Sequence, residues 1–377
     1  MCEVAFVRKW NSGEMTNTWS GTPNGLLRGL EDSCKEGIKK VSIEYGTGEE
    51  LIEKIGHGIL KIFSIDGCDV LESRIEGRLA SKQLMESKKM PIITFAECNT
   101  HKVLDTYVFI DCSVDYAFRC QNEQVEFAKY VPLSQKRRHT LLQLRRKQAL
   151  EFYNSCKGIF TMGQWLKTDL IENTGMPESK VHCVGGGCNI SVNKIDSSQK
   201  TGNKFLFVGK DFERKNGPLV VKAFKMLRQS SLTDIELYIA GPVAWPMQEP
   251  IPDGVKFLGL KSTDELSTYY NLCDVFVMPS RFEAYGIVFA EALIYGLPCI
   301  GRDAFSMSEF IHDGKNGYLL NDDSAESLAE LMKKAIQNHR MIQDVKNGRE
   351  NYIQEYSWNT VVNRMLNVMR KDGYDIG

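Results

Sequence analysis

Apolar residues along this chain fall into short continuous runs, separated by stretches in which they recur every three or four positions. In the first half the runs are residues 4–7, 40–45 (KVSIEY), 68–71, 91–95 (PIITF), 158–162 and 181–184. Between them, helical spacing predicts a helix starting near Asn24 on Leu26, Leu27 and Leu30, with others over 49–61, 78–88, 140–156 and 165–173. The second half repeats this rhythm. Strands are predicted at 204–208 (KFLFV), 235–240 (IELYIA), 255–258, 274–278 (DVFVM), 299–300 and 318–320. Helices are predicted at 219–227, 264–273, 307–312, 326–338, 343–356 and 358–371. Strands alternating with helices predict parallel sheets covered on both faces. The polar, aperiodic residues 190–203 (ISVNKIDSSQKTGN) read as a linker between two doubly wound α/β domains. Such a pair would place a ligand in a cleft faced by strand C-termini.

Composition narrows the function classes. A length of 377 residues suits two domains, and 42% hydrophobic with 25% charged residues is ordinary for a soluble enzyme. The net charge of −1 gives no general footprint for nucleic acid. Apolar runs are too short to span a membrane, and the start MCEVAFVRKW does not read as a secretory signal, so a cytoplasmic protein is expected. The 11 cysteines include no C-x-x-C and read as reduced core residues. One segment departs from this neutrality. Lys129, Lys136, Arg137, Arg138, Arg145, Arg146 and Lys147 occur with no acid among them. They form either a solvated helix face or a patch for an anionic acceptor or a membrane surface.

Candidate chemistry concentrates in residues 279–298, PSRFEAYGIVFAEALIYGLP. The strand 274–278 runs into it, Glu283 and Glu291 stand seven residues apart, and Gly286 lies between them. A strand, a turn and then a helix aim backbone N–H groups and a positive dipole end at the space above the strand, where a phosphate binds. Glu291, expected about two turns into the helix, would reach a hydroxyl group beside that phosphate. A second cluster supports the first. Strand 204–208 leads into GKDFERKNG, where Gly209 is followed by Lys210, Arg214 and Lys215. Cations beyond a strand's carboxyl end can neutralise a diphosphate leaving group, and fixed charge placed where charge develops is often the largest catalytic effect.

In these motifs the second half resembles the donor-binding domain of the retaining glycosyltransferases of family 4. Glu283 through Glu291 resembles that family's E-x7-E element, and VGKDFERKNG its phosphate-binding loop. IAGP, VKFLG, DELSTYYNLCDVFVMPS and HDGKNGYLL follow in the family's order. The resemblance is strong over 158–360 and weak over the first 157 residues. It implies the GT-B fold, two Rossmann-like doubly wound domains facing a cleft. These would comprise residues 1–189 on the acceptor side, the linker 190–203, a nucleotide-sugar domain over 204–357, and a helix over 358–377 packing back toward the N-terminal domain.

The resemblance also assigns roles. Glu291 would hold the nucleotide ribose, and Glu283 would contact the transferred sugar. Backbone amides of Ala284, Tyr285, Gly286, Ile287 and Val288 would bind sugar and phosphate. Lys210 and Lys215, with Arg214, would bind the diphosphate, although the family usually has Arg where Lys210 stands. The N-terminal loop TWSGTPNGL, with Gly21, Thr22 and Pro23, would approach the diphosphate or acceptor. The family often carries a catalytic-site histidine after a strand of the N-terminal domain, and PIITFAECNTH offers Glu97 and His101 as candidates without matching the family's pattern. The implied donor is a nucleotide-diphosphate sugar, most commonly a UDP-sugar, and the acceptor a glycan, lipid-linked or protein hydroxyl in polysaccharide or glycoconjugate synthesis. The basic segment 129–147 would offer a peripheral contact at the inner membrane face. No cofactor is expected, and no metal, because the chain has no D-x-D triplet. Rival readings are an epimerase or phosphorylase of the same fold and a non-catalytic partner subunit. A nicotinamide dehydrogenase is rejected, since neither leading strand is followed by G-x-G-x-x-G.

Overall fold

The computed structural model describes residues 4–8, 21–34, 37–42, 69–84, 90–95, 105–122, 127–132, 139–196, 200–230 and 232–376. The chain divides into two compact units, Met1–Gly187 with Trp358–Gly377, and Cys188–Ser357.

In the first unit six strands form one parallel sheet. They are β1 (Val4–Arg8), β2 (Ile38–Ser42), β3 (Ile92–Phe95), β4 (Thr106–Ile110), β5 (Gly158–Thr161) and β6 (Val181–Cys183), in the order β2-β1-β3-β4-β5-β6. The central strands β4 and β5 are buried along their whole length, as expected of a parallel sheet covered on both faces. Helices α1 (Thr22–Ser33), α2 (Asp69–Leu84), α3 (Val114–Asn122), α4 (His139–Ser155) and α5 (Gln164–Glu172) lie between the strands in the chain. Three elements differ from the sequence reading. Residues 69–71 of the apolar run 68–71 open helix α2 rather than forming a strand. A run that short does not distinguish the two states by periodicity. Strand β4 and helix α3 were not predicted. The expected helix 49–61 lies outside the described residues.

The C-terminal helix α13 (Trp358–Lys371) completes this unit. It buries Val361, Val362, Met365, Leu366 and Met369. The contact with α1 needs glycine at position 29. A Cβ there would stand 3.0 Å from both the Trp358 carbonyl oxygen and the Val362 side chain. Past the helix, the Tyr107 hydroxyl bonds Asp372 at 2.5 Å and the Tyr374 hydroxyl bonds Asp105, tying the C-terminal residues to the start of β4.

The second unit is a second parallel sheet. Its strands are β7 (Lys204–Val208), β8 (Glu236–Ala240), β9 (Val255–Gly259), β10 (Val275–Val277), β11 (Cys299–Arg302) and β12 (Gly317–Leu320), in the order β12-β11-β10-β7-β8-β9. Counted within the unit, this is the Rossmann order, and strand order reverses between β7 and β10. Helices α6 (Gly217–Ser230), α7 (Thr263–Leu272), α8 (Ile287–Ile294), α9 (Met307–Phe310), α10 (Ala325–Gln337), α11 (His339–Asn347) and α12 (Arg349–Glu355) complete it. The expected single helix 343–356 is two helices meeting at Gly348, and Asn338 caps the first by accepting from the Met341 N–H at 3.0 Å. Residues 190–203 fall within this unit by contact. Asn271 accepts from the Asp196 N–H and donates to the Lys194 carbonyl, and Lys200 donates to the carbonyl of Cys273 at 2.7 Å.

The glycine contact is testable. Gly29→Val should lower stability by about 1–3 kcal/mol, the usual cost of overpacking. The check is a lower urea midpoint, with helix content in water unchanged.

Candidate functional site

The chain reverses sheet direction between β7 and β10, so the loops after these two strands leave the sheet side by side. The loop after β7 runs from Gly209 to Asn216. It closes on itself through the Lys215 N–H to the Asp211 carbonyl (2.9 Å) and the Gly217 N–H to the Phe212 carbonyl (2.8 Å). Asn216 sits in the left-handed region, φ 61°, directly before α6. The loop after β10 runs from Met278 to Gly286. Gly286, φ 87°, makes the turn into α8, and a Cβ there would stand 2.9 Å from Glu283 Cγ.

These loops hold a buried ion pair. Lys215 Nζ bonds Glu283 Oε2, and the two residues are 8% and 7% exposed. Glycine at 209 lets the lysine cross the loop, since a Cβ there would stand 2.7 Å from Lys215 Cγ. Arg214 approaches the same carboxylate oxygen at 3.6 Å, and its guanidinium donates to the Phe282 carbonyl at 2.8 Å. The Arg281 N–H returns a bond to the Arg214 carbonyl at 2.9 Å, and the Ser280 hydroxyl reaches Glu283 Oε2 at 3.3 Å. Burial pulls the Lys215 ammonium below its usual range, against the opposing pull of Glu283. Lys210 is exposed at the loop's outer edge.

Helix α8 starts beside this pair. Among the described residues, the N–H groups of Gly286, Ile287 and Val288 find no acceptor. They stand at the positive end of the helix dipole, next to two cations already drawn together around one carboxylate. That is the chemistry of an anion site. Ala284 is fixed from outside the loop by the Ser306 hydroxyl, which donates to its carbonyl at 2.9 Å.

Glu291 lies one turn into α8, not two, because the helix starts at Ile287. The helix is buried on nearly all sides, so the carboxyl is buried too, at 7% exposure. Its partner is the Tyr270 hydroxyl, which donates to Oε2 at 3.0 Å. Burial pushes the Glu291 carboxyl up to about 7, although the tyrosine bond favours the ionised form. Tyr270, on α7, gave no signal in the sequence, where it is one aromatic among several in a helical stretch.

Other expected site residues are placed as follows. Gly21 (φ 77°) precedes α1, Thr22 and Pro23 are buried in its first turn, and no side chain caps that helix. Glu97 and His101 lie outside the described residues. The basic segment is much reduced as a surface patch. Arg146 Nε bonds Asp115 Oδ1 at 2.5 Å and Arg145 is buried. Burial pushes the Asp115 carboxyl up, but Arg146 and Arg119 outweigh it and hold the group below its usual range. Lys129 and Lys147 stay exposed, and residues 136–138 lie outside the described residues.

Two parallel sheets flanked by helices, the second with a cationic loop and a helix amino end at its switch point, give two Rossmann-like units of the GT-B architecture. Residues 192–353 match the model of the family described as Glycosyl transferases group 1. An uncharacterized 41.2 kDa protein in the cps region of Klebsiella pneumoniae is 33% identical over 135 residues, 36% of this chain and 37% of that protein. A GDP-mannose-dependent alpha-(1-6)-phosphatidylinositol monomannoside mannosyltransferase of Mycobacterium tuberculosis is 32% identical over 133 residues, 32% of this chain and 34% of that protein. The chain thus spans about a third of the length of these two relatives. Among solved structures, Anabaena HepE in complex with UDP and glucose has a TM-score of 0.61 at 14% identity, covering 98% of this chain and all of that one. That likeness is one of fold.

The raised Glu291 carboxyl makes a prediction. In the unfolded chain it ionises near 4.5, and in the fold near about 7. The folded state therefore holds the proton more tightly between these values. The contribution to stability is full below pH 4.5 and is lost as pH rises through 7. Glu291→Gln removes this loss. Relative to the unaltered protein, the variant should gain roughly 1–3 kcal/mol between pH 5 and pH 8, read from urea midpoints at both values.

Proposed function

We propose that the protein is a retaining, metal-independent glycosyltransferase that moves a sugar from a nucleotide-diphosphate sugar to a hydroxyl acceptor. The observation that carries this reading is the buried Lys215–Glu283 pair beneath the amino end of α8. Without a ligand, Glu283 pairs with Lys215 and offsets part of the charge of Lys215 and Arg214 together. A donor diphosphate entering above the loops would take over these cations together with the N–H groups of Gly286, Ile287 and Val288. Glu283 would then be free to face the transferred sugar. Glu291, beneath the same helix start, would accept from the nucleotide ribose hydroxyls.

The chemistry follows from the charges. As the anomeric bond to the leaving phosphate breaks, negative charge grows on the diphosphate. Lys215, Arg214, Lys210 and the helix dipole stand ready to stabilise it. The positive charge that develops on the sugar ring would lie beside the Glu283 carboxylate. The acceptor hydroxyl would attack the face the diphosphate leaves from and give its proton to a phosphate oxygen, so no enzymic nucleophile is needed. Fixed cations supply the charge that a divalent ion would otherwise supply.

Similarity supports the class of reaction. The family match covers the whole cationic loop and both glutamates. A lipopolysaccharide 1,2-N-acetylglucosaminetransferase of Salmonella typhimurium and the mycobacterial mannosyltransferase act in glycan and glycolipid assembly by their names. A glycan or lipid-linked acceptor follows by analogy, and a UDP-sugar is the first donor to try. No helix among the described residues is long and apolar enough to cross a membrane. A contact with a membrane surface would rest on Lys129, Lys147 and the cations at 136–138, since Arg145 and Arg146 face the protein.

The test is a panel of UDP-, GDP- and ADP-sugars, scored for nucleoside diphosphate release with and without simple glycoside acceptors. At least one donor should be turned over. Lys215→Met and Glu283→Gln should each reduce that rate by about 10²–10³, measured at a temperature where circular dichroism shows each variant still folded, since each also leaves a buried charge without its partner. Failure of every donor to bind or react would overturn the reading.

A further inference from the structure

Two adjacent acids follow β12, and they face opposite tasks. Asp322 serves its own helix: Oδ1 accepts from the Ser324 N–H at 3.0 Å and Oδ2 from the Ser327 hydroxyl at 2.8 Å. Ser324 caps the same helix, accepting from the Ser327 N–H at 3.0 Å. Asp323 takes no part in this cap. Its carboxylate reaches away to three residues on three other elements. Oδ1 accepts from Asn216 Nδ2 at 2.7 Å and from the Arg302 guanidinium, and Oδ2 lies 3.7 Å from Arg281 Nη2.

Each partner leads back to the Lys215–Glu283 pair. Asn216 directly follows Lys215, is fully buried, and takes the left-handed conformation at φ 61°, which asparagine adopts more readily than other non-glycine residues. Its side-chain amide donates to Asp323, which ties this turn to the loop after β12. Arg302, 8% exposed at the end of β11, donates to the Ser280 carbonyl at 3.2 Å, and Ser280 in turn bonds Glu283. Arg281, the next residue of that loop, also donates to the Glu213 carbonyl at 3.0 Å. One carboxylate therefore braces both loops, from a third loop that contributes no group of its own to the pair.

We propose that Asp323 is a positioning residue for sugar transfer, setting the distance between the cationic loop and the Glu283 loop through Asn216, Arg281 and Arg302. This rests on the donor-site reading above. Losing the carboxylate leaves Arg302, a buried cation, without its acidic partner and releases the Asn216 turn. Lys215 and Glu283 would still be present but no longer held in one geometry. Small misplacements of this kind lower rates far more than they lower binding.

The experiment compares Asp323→Asn, Asp323→Ala and Asp322→Ala in the full chain, using whichever nucleotide sugar the unaltered protein turns over. Asp323→Asn keeps an acceptor for Asn216 but loses the ionic link to both arginines. The expected result is a fall of about tenfold or more in kcat for both Asp323 variants, with donor KM changed by less than threefold. Asp322→Ala should lower the melting temperature through its lost cap yet leave kcat within twofold. A double-variant cycle adds a readout that plain destabilisation would not move. In a Lys215→Met background, Asp323→Asn should lower the residual kcat by less than about twofold, whereas in the unaltered background it should lower kcat by about tenfold. Normal kcat in Asp323→Asn, or equal losses at Asp322 and Asp323 that track melting temperature, would overturn the proposal. Inactivity of the unaltered protein on every donor would instead overturn the donor-site reading itself.

Discussion

The second unit is arranged around a buried ion pair between Lys215 and Glu283. Such a pair is expensive in isolation, because desolvating both charges offsets most of their attraction, and a well-packed apolar pair would serve stability as well or better. Its setting explains why it stands. Each charge arrives on the loop after a neighbouring strand, at the one place where strand order reverses. Arg214, Ser280 and the backbone of both loops close around it.

Several other features follow from holding that pair. Gly209 is needed because Lys215 must pass over it, and Gly286 because the chain must turn sharply beside Glu283 to begin α8. Gly241 (φ 123°) lets the loop after β8 approach the backbone of Gly209 and Lys210 closely. Helix α8 is buried from Phe289 to Ile294, and its first residues, Ile287 and Val288, are the more open end. The same burial makes Glu291 an acid that holds its proton to about pH 7, with Tyr270 as its fixed partner.

Much of this was legible in order along the chain. The strands β7, β8, β10 and β11 are continuous apolar runs ending in glycine, proline or a polar turn, and their parallel pairing follows from the helices between them. Glu283, Glu291 and the cations of GKDFERKNG were visible because they sit next to those strand ends. The misses have physical causes. Helix α3 turns Asp115 inward, toward Arg119 and Arg146, so its buried face does not read as apolar. The run of cations around Arg145 and Arg146 reads as an open basic surface in the sequence, although Arg145 is buried and Arg146 pairs with Asp115 inside the first unit. Helix α2 begins in an apolar run too short to distinguish helix from strand.

The sequence by itself determined the alternation of strand and helix, the two glutamates, and the placing of cations just beyond a strand. These are local properties, set by the spacing of side chains along a few turns or one strand. Only the tertiary structure decided which cation meets which acid. Lys215 rather than Lys210 reaches Glu283, Tyr270 rather than a basic group holds Glu291, and Asp323, more than a hundred residues from Asn216, braces the turn that follows Lys215. Those choices depend on strand order and on which loops leave the sheet side by side, and no periodicity in the chain carries that information.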